Sequence, residues 1–494
     1  MVLSWSKQKK FAMCSRITHL PGAPSAGLLA LHGYAAACAA LGLAAFLTLA
    51  PQWVHAQSAN NSEALARSGA SEGSRTENRF TLRELIDRAL AHNPELSASA
   101  HDWDAAAART QSADAARFPK VSVEGGYIAY GDDLRLVAAR FNGELGAFGS
   151  QILNADLVLR VPLYTGGRLV AELSAAQLLE AASGQRLARS KSDLIFNVSS
   201  LYYAQLAQIR LIDALAASRD ALAAQLQRVQ ALVNERKAAK VDALRTEVKL
   251  ADVRQRLLRE QNGLGILQRA LLNVLGEEAG ERQIVLVDAL QKPAPEARPL
   301  SVLMQTALSN RSDVQAAQTE LDAQLARIEA ARAGDAPSVN LVAAAGGRKL
   351  LGISQQPVGI DSQDTTYRIG LSFEMPLFDA GRTAARVAEE SAKLAAQQAR
   401  FDKLRLQVRL DVETAHAALT SALERLASTE QLTQLAAENL RIEQEKFALT
   451  RGTLFDVLDA QSALTDAQAT HIRALADAKT AAAQLAWASA ENLP

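Results

Sequence analysis

The sequence predicts a mainly α-helical protein with a small β part, in which one plan of helix, strand, strand, long helix and helix is written twice. Three observations predict it. Residues 161–170 (VPLYTGGRLV) and 375–384 (MPLFDAGRTA) share Pro162/Pro376, Leu163/Leu377, Gly167/Gly381 and Arg168/Arg382 at a constant offset of 214. Long proline-free segments carry leucine and alanine at helical spacing, whereas two shorter stretches, one in each half, alternate apolar with polar residues. Aromatic residues make up only 5% of the chain and prolines number 13, which suits long helices better than a bulky aromatic core.

The duplication extends well past the corner motif. Leu82, Leu85, Ala89, Leu90, Pro119 and Val121 match Leu300, Leu303, Ala307, Leu308, Pro337 and Val339 at an offset of 218. The 214 register then runs through Asp242/Asp456, Leu244/Leu458 and Leu250/Leu464. The first half is therefore longer between its two strands. The plan places repeats at 80–275 and 300–490, joined by a linker at 276–299.

Each element has a local reason. Thr81 to His92 reads as a short helix that ends at Asn93-Pro94, since proline disfavours a helical residue before it. A second helix runs from Glu95 to Arg117 and stops before Pro119. Strands are expected near 120–130 and 153–163. From Gly167 to about Lys237 nothing breaks a helix, and another follows from Val241 to Leu275. The second half predicts helices at 300–310 and 313–333, strands near 337–346 and 366–377, a long helix over 381–449 and a last one over 454–489. At ~1.5 Å per residue the long helices approach ~100 Å, too long for a compact domain. They must pack on one another along extended seams, as coiled coils do.

The N-terminus reads as an export signal over residues 1–56. Lys7, Lys9, Lys10 and Arg16 precede an apolar run from Ala35 to Ala50, and Val54-His55-Ala56 resembles a cleavage site. A membrane anchor is the alternative, but the run is short for a ~20-residue span. Residues 57–79 are small and polar and are expected to be disordered. Both cysteines, Cys14 and Cys38, lie in the signal, so the mature chain needs no disulfide. The formal net charge of zero gives a nucleic-acid partner no electrostatic support.

The strands point to a membrane. Tyr367, Ile369, Leu371, Phe373 and Met375 fall on one face, with Arg368, Gly370, Ser372 and Glu374 on the other. Leu157, Leu159 and Val161 oppose Asp156 and Arg160 in the same way. Apolar on one side and charged on the other is the pattern of a lipid-facing barrel strand, although a sheet on a soluble core shares it. Four strands cannot close a barrel, which needs at least ~8, and open edges are not tolerated in lipid. Several chains must pool their strands. The corners Pro162–Gly167 and Pro376–Gly381 would end the strands and turn the chain into its long helices.

The duplicated plan, the corners PLYTGGR and PLFDAGR, and the segment FALTRGTLFDVLDAQSAL at 447–464 resemble the TolC-type outer-membrane efflux proteins, over nearly all of residues 80–490. The resemblance implies a homotrimer: a twelve-stranded transmembrane β-barrel, four strands per chain, continuous with a trimeric α-helical barrel in the periplasm. It implies an exit channel for a tripartite efflux pump or type I secretion system, with a periplasmic adaptor protein and an inner-membrane transporter as partners and the outer-membrane lipid around the barrel. It also implies a periplasmic gate of inward aspartates at Asp456 and Asp459. A capping role for Asp456 is the competing reading, because Thr453-x-x-Asp456 fits a capping box. Asp242, Arg245, Arg451 and Gly452 are candidates for a gate latch or adaptor contact, with Gly452 expected to supply the turn. The chain departs from relatives at Phe447 and in its Arg451-Gly452 order.

No catalytic chemistry is legible. His92, His101, His416 and His471 lack metal-ligand spacing, the Gly-Gly pairs lack a phosphate-loop sequence, and no G-x-S-x-G occurs. No cofactor, metal or enzyme activity is expected. The rival class is a periplasmic or surface coiled-coil structural protein without a channel.

Overall fold

A computed structural model describes residues 79–278, 284–296 and 298–491. The expected signal at 1–56 and almost all of the 57–79 segment lie outside the described residues. The first half comprises β1 (Arg79–Phe80), α1 (Leu82–His92), α2 (Pro94–Ala115), β2 (Lys120–Arg135), β3 (Phe148–Tyr164), α3 (Arg168–Asn234) and α4 (Lys240–Leu275). After β4 (Val285–Leu286) come α5 (Leu300–Asn310), α6 (Ser312–Arg332), β5 (Ser338–Gln355), β6 (Gln363–Glu374), α7 (Arg382–Ala448) and α8 (Leu454–Ala488).

The 214 offset survives folding residue by residue. Both long helices have 67 residues, about 100 Å each. They start at Arg168 and Arg382 and end at Asn234 and Ala448. Along α7 the buried residues Val408, Val412, Ala415, Leu419, Ala422 and Leu426 alternate steps of four and three. Ala474, Ala478, Ala481, Leu485 and Ala488 do the same on α8. That is a coiled-coil seam, and its alanines let the two backbones approach closely. Leu211, Leu215, Leu222 and Val229 of α3 meet Leu250, Val253 and Leu257 of α4 in the matching seam.

Beside the strands, α2, α3, α6 and α7 lie side by side in that order. The strands above them run in the corresponding order β2-β3-β5-β6, all antiparallel. Each helix thus continues below a strand of its own half. The strands extend further than the alternation predicted, to Arg135 and Gln355, because glycine-rich and polar residues beyond the apolar band still pair. Pro162 does not end β3. It sits at a register irregularity and pairing resumes at Tyr164. Pro376 does lie just past β6.

The segment between the halves is more than a linker. Its β4 pairs in parallel with β1, so Arg79 belongs to a strand. Asp288 accepts hydrogen bonds from the Leu82 amide (3.1 Å) and the Tyr202 hydroxyl (2.7 Å). A charged knot ties the two halves together. Arg311, whose side chain is 3% exposed, donates to Asp313 (2.7 and 3.1 Å) and to Asp411 (3.0 Å). Arg189 of the first half stacks 4.2 Å above the Trp487 ring, and Trp487 Nε1 donates to Asp193 (2.6 Å).

Candidate functional site

The sheet presents two unlike faces. Cross-strand partners share a face, and the registers place Val121, Leu159, Ala343 and Ile369 in one row and Val123, Leu157, Ala345 and Tyr367 in the next. The opposite face carries Glu124, Asp156, Gly346 and Thr366 in one row, with Arg160 bound to Glu124 at 2.6 Å. Nothing among the described residues covers the apolar face. Tyr367, Ile369, Leu371 and Phe373 are 67–89% exposed. The outer strands β2 and β6 each pair on one side only. A water-exposed apolar face with unpaired edges is unstable in water and equally untenable alone in lipid.

The corners are built as the repeated motif implies. Gly167 and Gly381 take φ of 85° and 81° and immediately precede the long helices. The preceding residues, Gly166 and Ala380, are left-handed too, at 64° and 56°. In the first half only glycine fits, since a Cβ on Gly166 would lie 2.2 Å from that of Ala336. The second half accepts alanine there at the cost of backbone strain.

At the other end the two helical hairpins turn at 235–239 and 449–453. Gly452 does not supply the turn as the sequence suggested. The left-handed residue is Thr450, φ 60°, and its counterpart at the 214 offset is Arg236, φ 61°. Space at Gly452 is tight, since a Cβ there would lie 3.1 Å from that of Lys446. No residue preference marked Arg236 or Thr450, so the sequence reading missed both.

The structure shows Asp456 in the capping box. The Thr453 hydroxyl accepts from the Asp456 amide (3.3 Å) and donates to its carboxylate (2.7 Å), which also accepts from the Thr453 amide (3.1 Å). These bonds, the hydroxyl's first, hold the Asp456 carboxyl below the usual carboxylate range, with Lys446 adding a smaller pull. Within one chain that direction is opposite to the upward shift expected of a crowded carboxylate ring. The first half has Ala239 in place of Thr453 and lacks this cap, although Asp242 stands in the first turn.

Asp459 is exposed, one turn deeper. It lines a recess of about 310 Å³ between α4 and α8 with Val241, Leu244, Arg245, Val248, Lys249, Phe455 and Leu458. Arg245 and Asp459 are thus brought to one groove, but no ion pair joins them. Arg245 instead lies 5.9 Å from the Phe455 ring centroid. Arg451 likewise makes no ion pair among the described residues. Neither supplies a latch within a single chain.

Among the described residues no helix is long and apolar enough to cross a membrane. The family model for outer membrane efflux proteins matches residues 85–277 and 303–491. The chain belongs to that family. It is similar to outer membrane protein TolC of Escherichia coli (strain K12), 22% identical over 414 residues covering 82% of this chain and 80% of the relative. Protein CyaE of Bordetella pertussis is 24% identical over 419 residues, covering 83% and 84%. Among solved structures CusC, described as forming a transmembrane channel, superposes with a TM-score of 0.71 at 19% identity, over 86% of this chain and 96% of that one. The chain is an outer-membrane efflux protein with a periplasmic helical part, and it is not an enzyme.

Proposed function

We propose that three copies of this chain form a continuous exit duct, in which β6 of one copy pairs with β2 of the next to close a twelve-stranded barrel. The observation that carries this reading is the bare sheet, whose apolar face wants lipid and whose edges want a neighbour. The charged face then lines water, and α2, α3, α6 and α7 extend the wall into the periplasm. The duct would serve a tripartite efflux pump or type I secretion system. The hairpin tips at 235–242 and 450–456 would meet a periplasmic adaptor, which joins the duct to an inner-membrane transporter.

The periplasmic end is the proposed gate. Asp459, free of any cap and exposed, is the stronger gate residue, and Asp456 combines capping with charge. Three copies set these carboxylates around one opening, where they attract cations and repel anions. Asp242, Arg245 and Arg451 are assigned to contacts between copies or with the adaptor, since they make no ion pair among the described residues.

Planar-bilayer recording of the purified oligomer tests the reading. The wild type should show ion-conducting events and run as a heat-modifiable oligomer. Asp456→Ala with Asp459→Ala should raise single-channel conductance and weaken cation preference. Thr453→Ala removes the cap but no charge, so it should cost about 1 kcal/mol of helix stability and leave ion preference intact. A soluble, non-conducting oligomer would instead favour a coiled-coil structural protein.

A further inference from the structure

A second recess lies at the opposite end of the helices from the proposed gate. It has a volume of about 1250 Å³ and is lined by one face each of α2, α3, α6 and α7, starting at the first turns of α3 and α7. A recess that touches all four members of a side-by-side layer lies on the side toward which the layer curves. If three such layers close a ring, that side is the inside of the duct, just below the barrel.

Its lining is unbalanced in charge. Seven Arg and Lys residues face three acids. Some of the cations are neutralised: Arg168 pairs with Glu172 (3.0 Å), Lys393 with Glu390 (2.8 Å), and Arg186 with Glu320. Arg109, Arg327, Arg382 and Arg386 are all exposed and form no ion-pair contact among the described residues, although Arg382 acts at longer range on Asp379 and Arg327 on Glu390. Arg327 donates to the neutral Gln324 oxygen at 3.5 Å, and its charge also acts on Glu390 without an ion-pair contact.

The repeat shows that this charge is patterned. Arg109 and Arg327 are counterparts at the 218 offset, and Arg168 and Arg382 at 214. The counterpart of Glu172 is Arg386. The first half therefore neutralises its helix-start arginine with an acid four residues on, and the second half replaces that acid by another arginine. A capping function for the helix does not require the exchange, because Asp379 already accepts from the amides of Gly381 (2.8 Å) and Thr383 (2.6 Å).

We propose that this recess is a binding surface for polyanionic organic molecules, those with several sulfonate, phosphate or carboxylate groups, moving through the duct. The proposal rests on the channel reading for its place in the lumen, but the binding itself does not. Three copies would set about a dozen unpaired guanidiniums around one section of the wall. Guanidinium is weakly hydrated and presents a planar fork of donors, which suits bidentate anion contacts. Low-dielectric walls on all sides strengthen the field over that in open water. Beyond the acidic tip, the recess would hold an anion before its next step toward the barrel.

The test uses full-length oligomer in detergent and the trisulfonated dye pyranine, followed by fluorescence anisotropy. Wild type should bind pyranine saturably, and tripolyphosphate should displace it far better than chloride at matched ionic strength. Arg327→Gln, Arg382→Gln and Arg386→Gln together should weaken binding about tenfold, since each exposed charge contact contributes modestly. The triple lysine variant should keep most of the affinity. Equal affinity in the glutamine triple, provided its oligomer size is unchanged, would overturn the proposal. If that triple does not assemble, wild-type displacement decides alone: tripolyphosphate no better than chloride overturns the site. Binding without any KCl conductance would sink the channel reading and leave the anion site standing. Conductance without binding or displacement would do the reverse.

Discussion

Replacing Arg311 with methionine should destabilise the protein by about 3 kcal/mol. Arg311 is buried between Asp313 and Asp411, whose side chains are 22% and 20% exposed. Removing one partner of a buried ion pair typically costs ~3–5 kcal/mol, because the remaining charges lose their compensation. Partial exposure of both aspartates argues for the lower end. With an unfolding entropy of ~2.1 cal/mol/K per residue over a ~400-residue chain, 3 kcal/mol lowers the melting midpoint by about 3–4 °C. Circular dichroism of the detergent-solubilised oligomer at pH 7 reads this directly. The acid limb adds a sign. Burial pushes the Asp313 carboxyl up, but hydrogen bonding and charge from Arg311 and charge from Arg189 outweigh it, so it sits below its ordinary value of 3.8. A depressed carboxylate stabilises the fold above that value and loses its contribution as pH falls through the folded pKa. Without Arg311 burial is opposed only by the Arg189 charge and the Val314 amide, so the downward direction should weaken or reverse. The gap between variant and wild type should therefore narrow below about pH 4. A midpoint within 1 °C of wild type at pH 7 would refute the reasoning.

Other outcomes follow from the same geometry. Thr450→Gly and Arg236→Gly should each relieve left-handed strain of up to ~1 kcal/mol and slow amide exchange at the hairpin tips; faster exchange would contradict the strain argument. Gly346→Val should block the β3–β5 pairing, since a Cβ there would lie 2.2 Å from the Ala155 carbonyl oxygen, and the heat-modifiable oligomer should disappear. Because capping depresses the Asp456 carboxyl, it should remain ionised down past its ordinary value of 3.8, and Thr453→Ala should shift its titration upward. NMR of a ¹³C-aspartate-labelled sample checks that direction.

Most of the element order was legible because the chain states it twice. A helix boundary set by Asn93-Pro94 or by Gly381 is a local event, and a neighbour ten residues away suffices to read it. Strand ends were read short because Gly347 and the mixed residues after it carry no alternation, yet they pair when a partner strand is already in place. Asp456 shows the same limit at the proposed site. Sequence offered cap and gate, and the structure shows the cap because Thr453 lies within reach; a gate requires other copies. The knot at Arg311 was invisible for a related reason. Its counterpart Asn93 caps a helix through Leu96, whereas Arg311 finds partners 100 residues away on α7.

By itself the sequence determined the duplication, the helix periods, the corner glycines and the two-faced strands, all of which are short-range consequences of backbone conformation and side-chain polarity. Only the tertiary structure decided that the two hairpins join through β3 and β5, that the apolar rows align across all four strands, and that the unpaired arginines of separate helices share one recess. Those depend on which distant segments meet, and contact between them is selected by packing the whole chain at once.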